Sequence, residues 1–221
     1  MGPLPRFLSA FSGAAEIVRP SLQLDGDWTM CTMQEYVQLI GDAVSDADAA
    51  RLAEEAINAP LLFFYGSLLE LPSVQNFRSN PLFAWIPQVL EVLCYGVVDE
   101  LRRLPDAVQA HLTPLLYQKM NKLSVLSLCG RDDMSGGLRI RAVQETIGAA
   151  VPSEAEALLI DMMSDGLLRG RIDQRGGVVV LQQFEAREVR LEDVAKLREK
   201  LEAWCRSCDA QLEMLLKVME A

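Results

Sequence analysis

The sequence predicts a mainly α-helical chain that carries a small β wing and ends in a long helix. Three observations predict this class. Apolar residues recur at three- and four-residue spacing through most of residues 33–128, which is typical of amphipathic helices. Two short segments on either side of a Gly-containing turn alternate apolar and polar residues, as the strands of a hairpin do. The final segment repeats apolar residues in steps of three and four, close to a heptad.

The chain opens with an extension, residues 1–32, in which Pro, Gly and Ser interrupt any regular period. The first helix is predicted to begin at Met33, where apolar residues start to recur at helical spacing. A second helix is predicted after Ser45, whose hydroxyl can accept a hydrogen bond from the first turn. Asp46 and Asp48 lie in that turn, where carboxylates interact favourably with the helix dipole.

Two further helices are predicted over residues 61–70 and 82–94, and Pro72 and Pro81 separate them. Each of these short helices has one apolar stripe, which it can bury only against a neighbour. Region 33–112 is therefore predicted to be a stacked array of short helices.

A strong helix start lies at Thr113, because this Thr can act as the N-cap and Pro114 takes the first helical position. The helix is predicted to end at Gly130. The residues beyond it predict a short strand over 138–140 and a short helix over 141–150.

Ser153 and Glu156 have the spacing of a capping box, which predicts another helix that begins there and stops at Gly166. The alternating residues that follow predict two strands joined by a hairpin turn. The predicted elements follow the order of a winged helix, namely a helix, a strand, two helices and a two-stranded wing. The winged helix would occupy residues 113–187. The strands are predicted over 168–173 and 178–184, and the turn over 174–177.

The C-terminal segment, residues 188–221, is predicted to form one long helix. Roughly thirty residues at 1.5 Å each give roughly 45 Å, which is longer than a small winged helix is wide. Part of the helix should therefore project, and its apolar seam then needs a partner helix. The residues of this seam are Val194, Leu197, Leu201, Trp204, Cys208, Leu212, Leu215 and Met219.

The composition limits the kinds of partner. The chain has 221 residues, of which 50% are hydrophobic, and a formal net charge of -10. So many apolar residues predict exposed apolar surface that a partner covers. A nonspecific nucleic-acid binder needs excess Lys and Arg, so the charge argues against DNA, RNA or an anionic membrane as the main partner. Five scattered cysteines favour reduced thiols in the cytosol or nucleus.

Residues that could support catalysis are scarce. His111 is the only histidine, and its sequence context points to no nucleophile that would use it. Cys205 and Cys208 form a C-x-x-C, but they lie in the middle of a predicted helix rather than at a helix start, where the dipole would lower the thiol pKa. A zinc site would need a second pair of ligands. We therefore predict a chain that is not an enzyme, with no catalytic residue, cofactor or metal site.

A winged helix raises nucleic acid as an alternative partner. In a DNA-binding version the second helix enters the major groove and needs a neutral or basic face. The predicted helix over 153–166 has four carboxylates and no Lys or Arg, which repels phosphates. The opposing observation is a set of basic residues on or near the wing: Arg139, Arg141, Arg169, Arg171 and Arg175. We favour a solvated or protein-facing basic edge over a nucleic-acid site.

Several segments resemble one known family. Stacked short helices that lead into a winged helix are the layout of the PCI domain, and within that group the chain resembles COP9 signalosome subunit 7. NAPLLFFYGSLLELPSVQNF is similar to that family's APxxFxFxELLxxPNV, LLRGRIDQ to IIxGKLDQ, and LEAWCRSCDAQL to LHEWCDGCEAVL. LEVLCYG and KMNKLSVLSL are similar to two further family segments. The resemblance covers about residues 33–219, whereas residues 1–32 have no counterpart.

The resemblance implies a non-catalytic scaffold subunit of the signalosome, the complex that removes Nedd8 from cullins in cullin-RING ubiquitin ligases. In that family a zinc metalloprotease subunit performs the reaction, winged helices line up edge to edge, and C-terminal helices gather into a bundle. The implied partners are the other PCI subunits and the metalloprotease subunit pair, with cullin-RING ligases as indirect partners, in the cytoplasm and nucleus.

The residues expected to contact these partners lie on the wing and along the C-terminal helix. They are Leu168, Arg169, Arg171 and Ile172 of the wing, together with the eight seam residues named above. Two alternatives remain open. One is a PCI subunit of translation initiation factor 3 or of the proteasome lid, and the other is a winged-helix nucleic-acid binder.

Overall fold

The computed structural model describes residues 32–130 and 137–219, with side chains as far as Lys217. The expectation that residues 1–32 form an extension falls almost entirely outside this range. Within the described residues the chain is mainly helical, with one small antiparallel sheet and a long final helix. The predicted fold class, a mainly α chain with a small β wing, is confirmed.

The helices are α1 (Met33–Gly41), α2 (Asp46–Asn58), α3 (Gly66–Leu69), α4 (Pro72–Asn76), α5 (Trp85–Tyr95), α6 (Val98–Arg102), α7 (Asp106–Gln109), α8 (Pro114–Cys129), α9 (Ile140–Ile147), α10 (Pro152–Ser164) and α11 (Val194–Met219). The strands are β1 (Leu138–Arg139), β2 (Leu168–Asp173) and β3 (Val178–Phe184). Single 3-10 turns lie at Phe77–Ser79 and Leu191–Asp193.

Hydroxyl caps define the starts of three helices, α1, α2 and α8. The Ser45 hydroxyl accepts a hydrogen bond from the Asp48 amide at 3.2 Å, and the Thr113 hydroxyl accepts one from the Leu116 amide at 3.3 Å. Both predicted N-caps are confirmed. A third cap, the capping box of Thr32 and Glu35 at the start of α1, follows the same chemistry.

The predicted helix over residues 61–70 is correct only for its second half. Residues 61–65 form no helix after Pro60, and the Tyr65 hydroxyl donates to the Ile57 carbonyl near the end of α2 at 3.3 Å. The Tyr65 hydroxyl bonds to the Leu62 carbonyl and is completely buried. Helices α4, α6 and α7 were not predicted, because four or five residues are too few to show a 3.6-residue period.

The predicted capping box at the start of α10 is wrong. Val151 occupies the N-cap position without a side-chain hydrogen bond, and Pro152 takes the first helical position. Ser153 therefore lies inside the first turn, while the Glu154 carboxylate accepts a hydrogen bond from the Ala150 amide at 3.1 Å. Glu156 instead accepts a hydrogen bond from Gln174 of the wing turn at 2.7 Å.

The three strands have the order β1-β3-β2, and both pairs are antiparallel. Leu138 and Val179 are opposite each other on the inner face, where both are fully buried. A β-bulge separates Arg169 from Gly170, and a Cβ on Gly170 would lie 2.6 Å from the Val180 carbonyl oxygen. Because β2 and β3 approach each other so closely here, only glycine fits at this position.

The winged helix is attached to the helical array through α8. Lys122 lies on this helix and its Nζ contacts two carboxylates of α10, Asp161 at 2.5 Å and Asp165 at 2.6 Å. Because Lys122 and Asp165 are largely shielded from water, this pair is screened less than a surface ion pair. Within the winged helix, α8 and α10 are thus joined by both apolar packing and a shielded charge cluster.

Candidate interaction surfaces

The final helix, α11, is almost entirely exposed. Its 26 residues extend about 39 Å at 1.5 Å per residue. From Val194 to Lys217 every side chain is exposed except that of Cys208, which is half-buried. Trp204, the largest of them, is 66% exposed. An amphipathic helix whose apolar side faces water has the form of an element that a partner covers.

The apolar surface of α11 widens toward its C-terminal end. In its first half, Val194, Leu197, Leu201 and Trp204 fall within a sector of about 80°, given 3.6 residues per turn. A single neighbouring helix can cover a stripe of that width. The second half presents apolar residues on several sides, so one neighbour is not enough to cover it. These exposed residues are Leu212, Met214, Leu215 and Leu216.

The segment between the wing and α11 is fixed to the helical array by Arg187. Its guanidinium donates hydrogen bonds to the carbonyls of Leu93 and Gly96, at the C-terminal end of α5. It also donates one to the Ser127 hydroxyl of α8 at 2.7 Å. The negative end of the α5 dipole favours a cation at this place. A residue far along the chain thereby joins α5 to α8.

Two neighbours of Arg187 extend this attachment. The Glu188 carboxylate accepts a hydrogen bond from the Gly66 amide at the start of α3, at 2.8 Å. The Arg190 guanidinium lies over the Tyr95 ring, 4.9 Å from its centroid, in a cation–π contact. We refer to Arg187, Glu188 and Arg190 as the linker anchor. Since α11 begins only four residues after Arg190, the anchor fixes the place from which α11 departs.

The wing residues expected to contact partners divide between two faces of the sheet. Leu168 is fully buried and Ile172 is half-buried, so both pack within this chain. Arg169 and Arg171 point to the opposite face and are exposed. Strand β2 is an edge strand, because β3 pairs with it on one side only. The edge and the arginines are therefore available to a partner, whereas Leu168 is not.

A buried lysine lies where α8 meets the helical array. Lys119 of α8 is only 2% exposed, and its Nζ donates to the Ile57 carbonyl and the Tyr65 hydroxyl, both at 2.7 Å. Burial lowers the pKa of Lys119 to about 7. The Ile57 carbonyl is one of the last in α2, so the lysine satisfies a helix end that would otherwise lack a partner. Sequence periodicity could not find this contact, which joins residues 62 positions apart.

The residues weighed for catalysis are placed as packing or surface groups. The His111 ring stacks on Trp85, with centroids 4.4 Å apart and an angle of 2° between the rings. Cys205 is exposed on α11 and Cys208 lies one turn further. In the part of the chain that the structure describes, no three His, Cys, Asp or Glu side chains are grouped closely enough to hold a metal ion. None of the helices described there has the length and apolar character needed to cross a bilayer.

Known proteins resemble this chain over most of its length. Residues 98–183, from α6 to the end of the wing, match the family model of the PCI domain. The chain is 26% identical over 183 residues to COP9 signalosome complex subunit 7a of Mus musculus, which covers 81% of this chain and 63% of that protein. It is 25% identical over 153 residues to COP9 signalosome complex subunit 7 of Dictyostelium discoideum, covering 69% and 57% of the two chains.

A second kind of protein is also similar to this chain. Eukaryotic translation initiation factor 3 subunit M of Schizosaccharomyces pombe is 24% identical over 210 residues, which cover 89% of this chain and 47% of that protein. The chain spans less than two thirds of the length of each of these relatives.

Proposed function

We propose that this chain, which contains a PCI domain and is similar to COP9 signalosome subunit 7, is a non-catalytic scaffold subunit of a signalosome. The observation that carries the proposal is the row of exposed apolar side chains along α11. A chain that functions alone gains nothing from leaving a tryptophan and several leucines in water on one projecting helix. A subunit that inserts this helix among the helices of its partners does benefit, because the partner helices then cover these apolar side chains.

The arrangement of the chain in three parts supports this role. Residues 33–112 form the helical array, residues 113–187 the winged helix, and residues 188–221 contain the helix that we assign to the bundle. The linker anchor holds the segment that leads into α11 against the array. A scaffold needs this rigidity, because it must present its helix at a defined place.

The seam residues are proposed as the contacts with partner helices. They are Val194, Leu197, Leu201, Trp204, Cys208, Leu212, Leu215 and Met219, and all but the last, whose side chain is outside the described residues, are exposed or half-buried. Met214 and Leu216 join them, since both are more than half exposed. The proposed partners are other PCI subunits and the metalloprotease subunit pair, in the cytoplasm and nucleus.

The proposed role assigns no chemistry to this chain. Removal of Nedd8 from cullins would belong to the metalloprotease subunit, and cullin-RING ligases would be indirect partners. The placement of the titratable groups agrees with this division: Lys119 is buried in the array, His111 is stacked on Trp85, and Arg187 is bonded to carbonyls.

Affinity purification of the tagged chain from its native cells, followed by mass spectrometry, tests the proposal. We expect a metalloprotease subunit, other PCI subunits and cullins in the recovered material. The variant Leu201→Asp with Leu212→Asp should lose these proteins, because two carboxylates would then lie in the apolar contact. Ala195→Asp with Ala203→Asp adds the same charges to the opposite face of the first half of α11 and should retain them.

Two results would contradict the proposal. One is recovery of the same proteins by both variants, and the other is the absence of any metalloprotease subunit from the wild-type sample. Recovery of initiation-factor subunits instead would favour the second candidate function, a PCI subunit of translation initiation factor 3. The similarity to subunit M, which covers 89% of the chain, supports that candidate.

A further inference from the structure

The outward face of the small sheet carries arginines from two strands. Along β2, side chains alternate between the core and water, and Arg169 and Arg171 point to water. Arg171 is opposite Val180 of β3, and Arg139 of β1 is opposite Val178. The register therefore places three arginines on one face around Val180, which is itself 53% exposed.

The arginines without carboxylate partners are concentrated on this sheet. Arg139, Arg169, Arg171 and, at the wing turn, Arg175 form no ion pair with any residue that the structure describes. Six arginines elsewhere do form such pairs, and they are Arg51, Arg78, Arg102, Arg141, Arg190 and Arg198. In a chain with a net charge of -10, four exposed and unpaired arginines on one small sheet leave a local positive field.

The nearest carboxylates already have other partners. Asp173 lies on the same face, opposite Val178, and its carboxylate accepts a hydrogen bond from the Gly176 amide within the hairpin turn, at 2.9 Å. Glu156 of α10 accepts one from Gln174, at 2.7 Å. These contacts place an acidic helix directly beside the wing. A nucleic-acid duplex, which is wide and charged along both strands, would meet these carboxylates, whereas a single extended peptide is narrow enough to avoid them.

We propose that this surface, which we call the arginine face (Arg139, Arg169, Arg171, Arg175 and Val180), binds an acidic, extended segment of a partner protein. Residues two apart in an extended chain lie roughly 6.5–7 Å apart on the same side. Acidic residues at alternate positions would thus match Arg169 and Arg171, which are two apart on β2. Val180 adds an apolar contact between the charges. The inference rests on the proposed function in one respect, namely that the segment belongs to another subunit of the assembly.

Fluorescence anisotropy with the full chain tests this binding directly. The probe is a labelled peptide of alternating Glu and Val, and its counterpart of alternating Gln and Val is the neutral control. Wild type should bind the acidic peptide, bind it more weakly as salt rises, and leave the neutral peptide free. Arg169→Glu with Arg171→Glu should weaken binding by about tenfold or more, and Arg169→Lys with Arg171→Lys should retain most of it.

The matched control is Arg103→Glu with Arg206→Glu. Both residues are exposed and unpaired among the described residues, and neither lies on the sheet, so the total charge change is the same. This control should bind the acidic peptide within about twofold of wild type. Equal loss in both double variants would show a response to net charge alone and would overturn the proposal. So would tighter binding of duplex DNA than of the acidic peptide.

Co-purification separates this inference from the proposed function. If wild type recovers signalosome subunits and Arg169→Glu with Arg171→Glu recovers them equally well, the arginine face is not an assembly contact and the inference fails, while the scaffold role stands. If wild type recovers no such subunits, the scaffold role fails. Peptide binding by the purified chain then decides whether the arginine face itself takes an acidic segment.

Discussion

The body of the protein and its final helix bury their apolar residues to opposite extents. In residues 33–184 the structure places a continuous apolar core, with even a lysine, Lys119, almost fully buried. In α11 the leucines and Trp204 are 45–66% exposed. The body therefore obtains its stability from its own contacts, whereas we propose that α11 is stabilised by contacts with another chain. The linker anchor lies at the boundary between the two.

The largest expected difference concerns leucines of the same size in the two regions. Leu90→Ala in α5 removes a fully buried side chain, and we expect it to lower the free energy of unfolding of the isolated chain by about 2–5 kcal/mol. Leu201→Ala in α11 should lower it by no more than about 0.5 kcal/mol. Urea denaturation of both variants measures this. A comparable loss in both would show that α11 packs on its own body.

A smaller effect is expected at the linker anchor. Arg187→Met leaves the Leu93 and Gly96 carbonyls without this donor, so we expect a loss of about 2 kcal/mol or more in the free energy of unfolding. Arg198→Met on exposed α11 removes only a surface ion pair and should cost about 0.5 kcal/mol or less. Thermal unfolding compares the two. Equal midpoints would mean that the anchor contributes nothing to the body.

The buried lysine predicts a pH dependence that belongs to the body alone. An unfolded lysine keeps its proton to about pH 10.4, whereas folded Lys119 releases it near pH 7. Between these values the unfolded state binds more protons, so the free energy of unfolding should rise with pH, by up to about 1.4 kcal/mol per unit.

Urea denaturation from pH 7 to 9 checks this slope against Lys119→Met. The variant should lack the part of the slope that Lys119 contributes, and the difference between the two proteins isolates it from all other titrating groups. Parallel curves for the two proteins would show that Lys119 keeps its charge in the folded state.

The smallest predicted effects compare local helix stability in the two regions. Ser45→Ala removes the cap of α2 and should lower the free energy of unfolding by about 1 kcal/mol. Ala203→Gly should destabilise the helical state of α11 by a similar amount, about 1 kcal/mol, because glycine has a lower helix propensity than alanine. Because α11 is not covered by the body, we expect the denaturation midpoint to stay unchanged in that variant. A shift equal to that of Ser45→Ala would show that α11 unfolds together with the body.

Features with a local signal could be predicted from the sequence. The caps at Ser45 and Thr113, the hairpin turn with its glycines, and the heptad-like repeat of α11 each depend on residues within a few positions of one another. The capping box at Ser153 failed although its signal was local, because Pro152 competes for the start of the same helix and takes its first position.

Features that depend on distant residues could not be predicted. The contacts of Arg187 join positions 60 to 94 residues apart, and nothing in the local sequence marks this arginine. Leu168 was expected to contact a partner as part of the wing, but the direction of the alternation along β2 places it in the core. Met214 and Leu216 were left out of the seam since they do not follow its spacing, although both are exposed.

Hydrogen–deuterium exchange, measured on the isolated chain and on the purified assembly, tests the central claim most directly. We expect amides of α11, from Val194 to Met219, to exchange quickly in the isolated chain and slowly in the assembly, because partner helices then cover its apolar side. Amides of α5 and α8 should be slow in both. Slow exchange of α11 in the isolated chain, or fast exchange of α11 in the assembly, would show that partner helices are not what covers it.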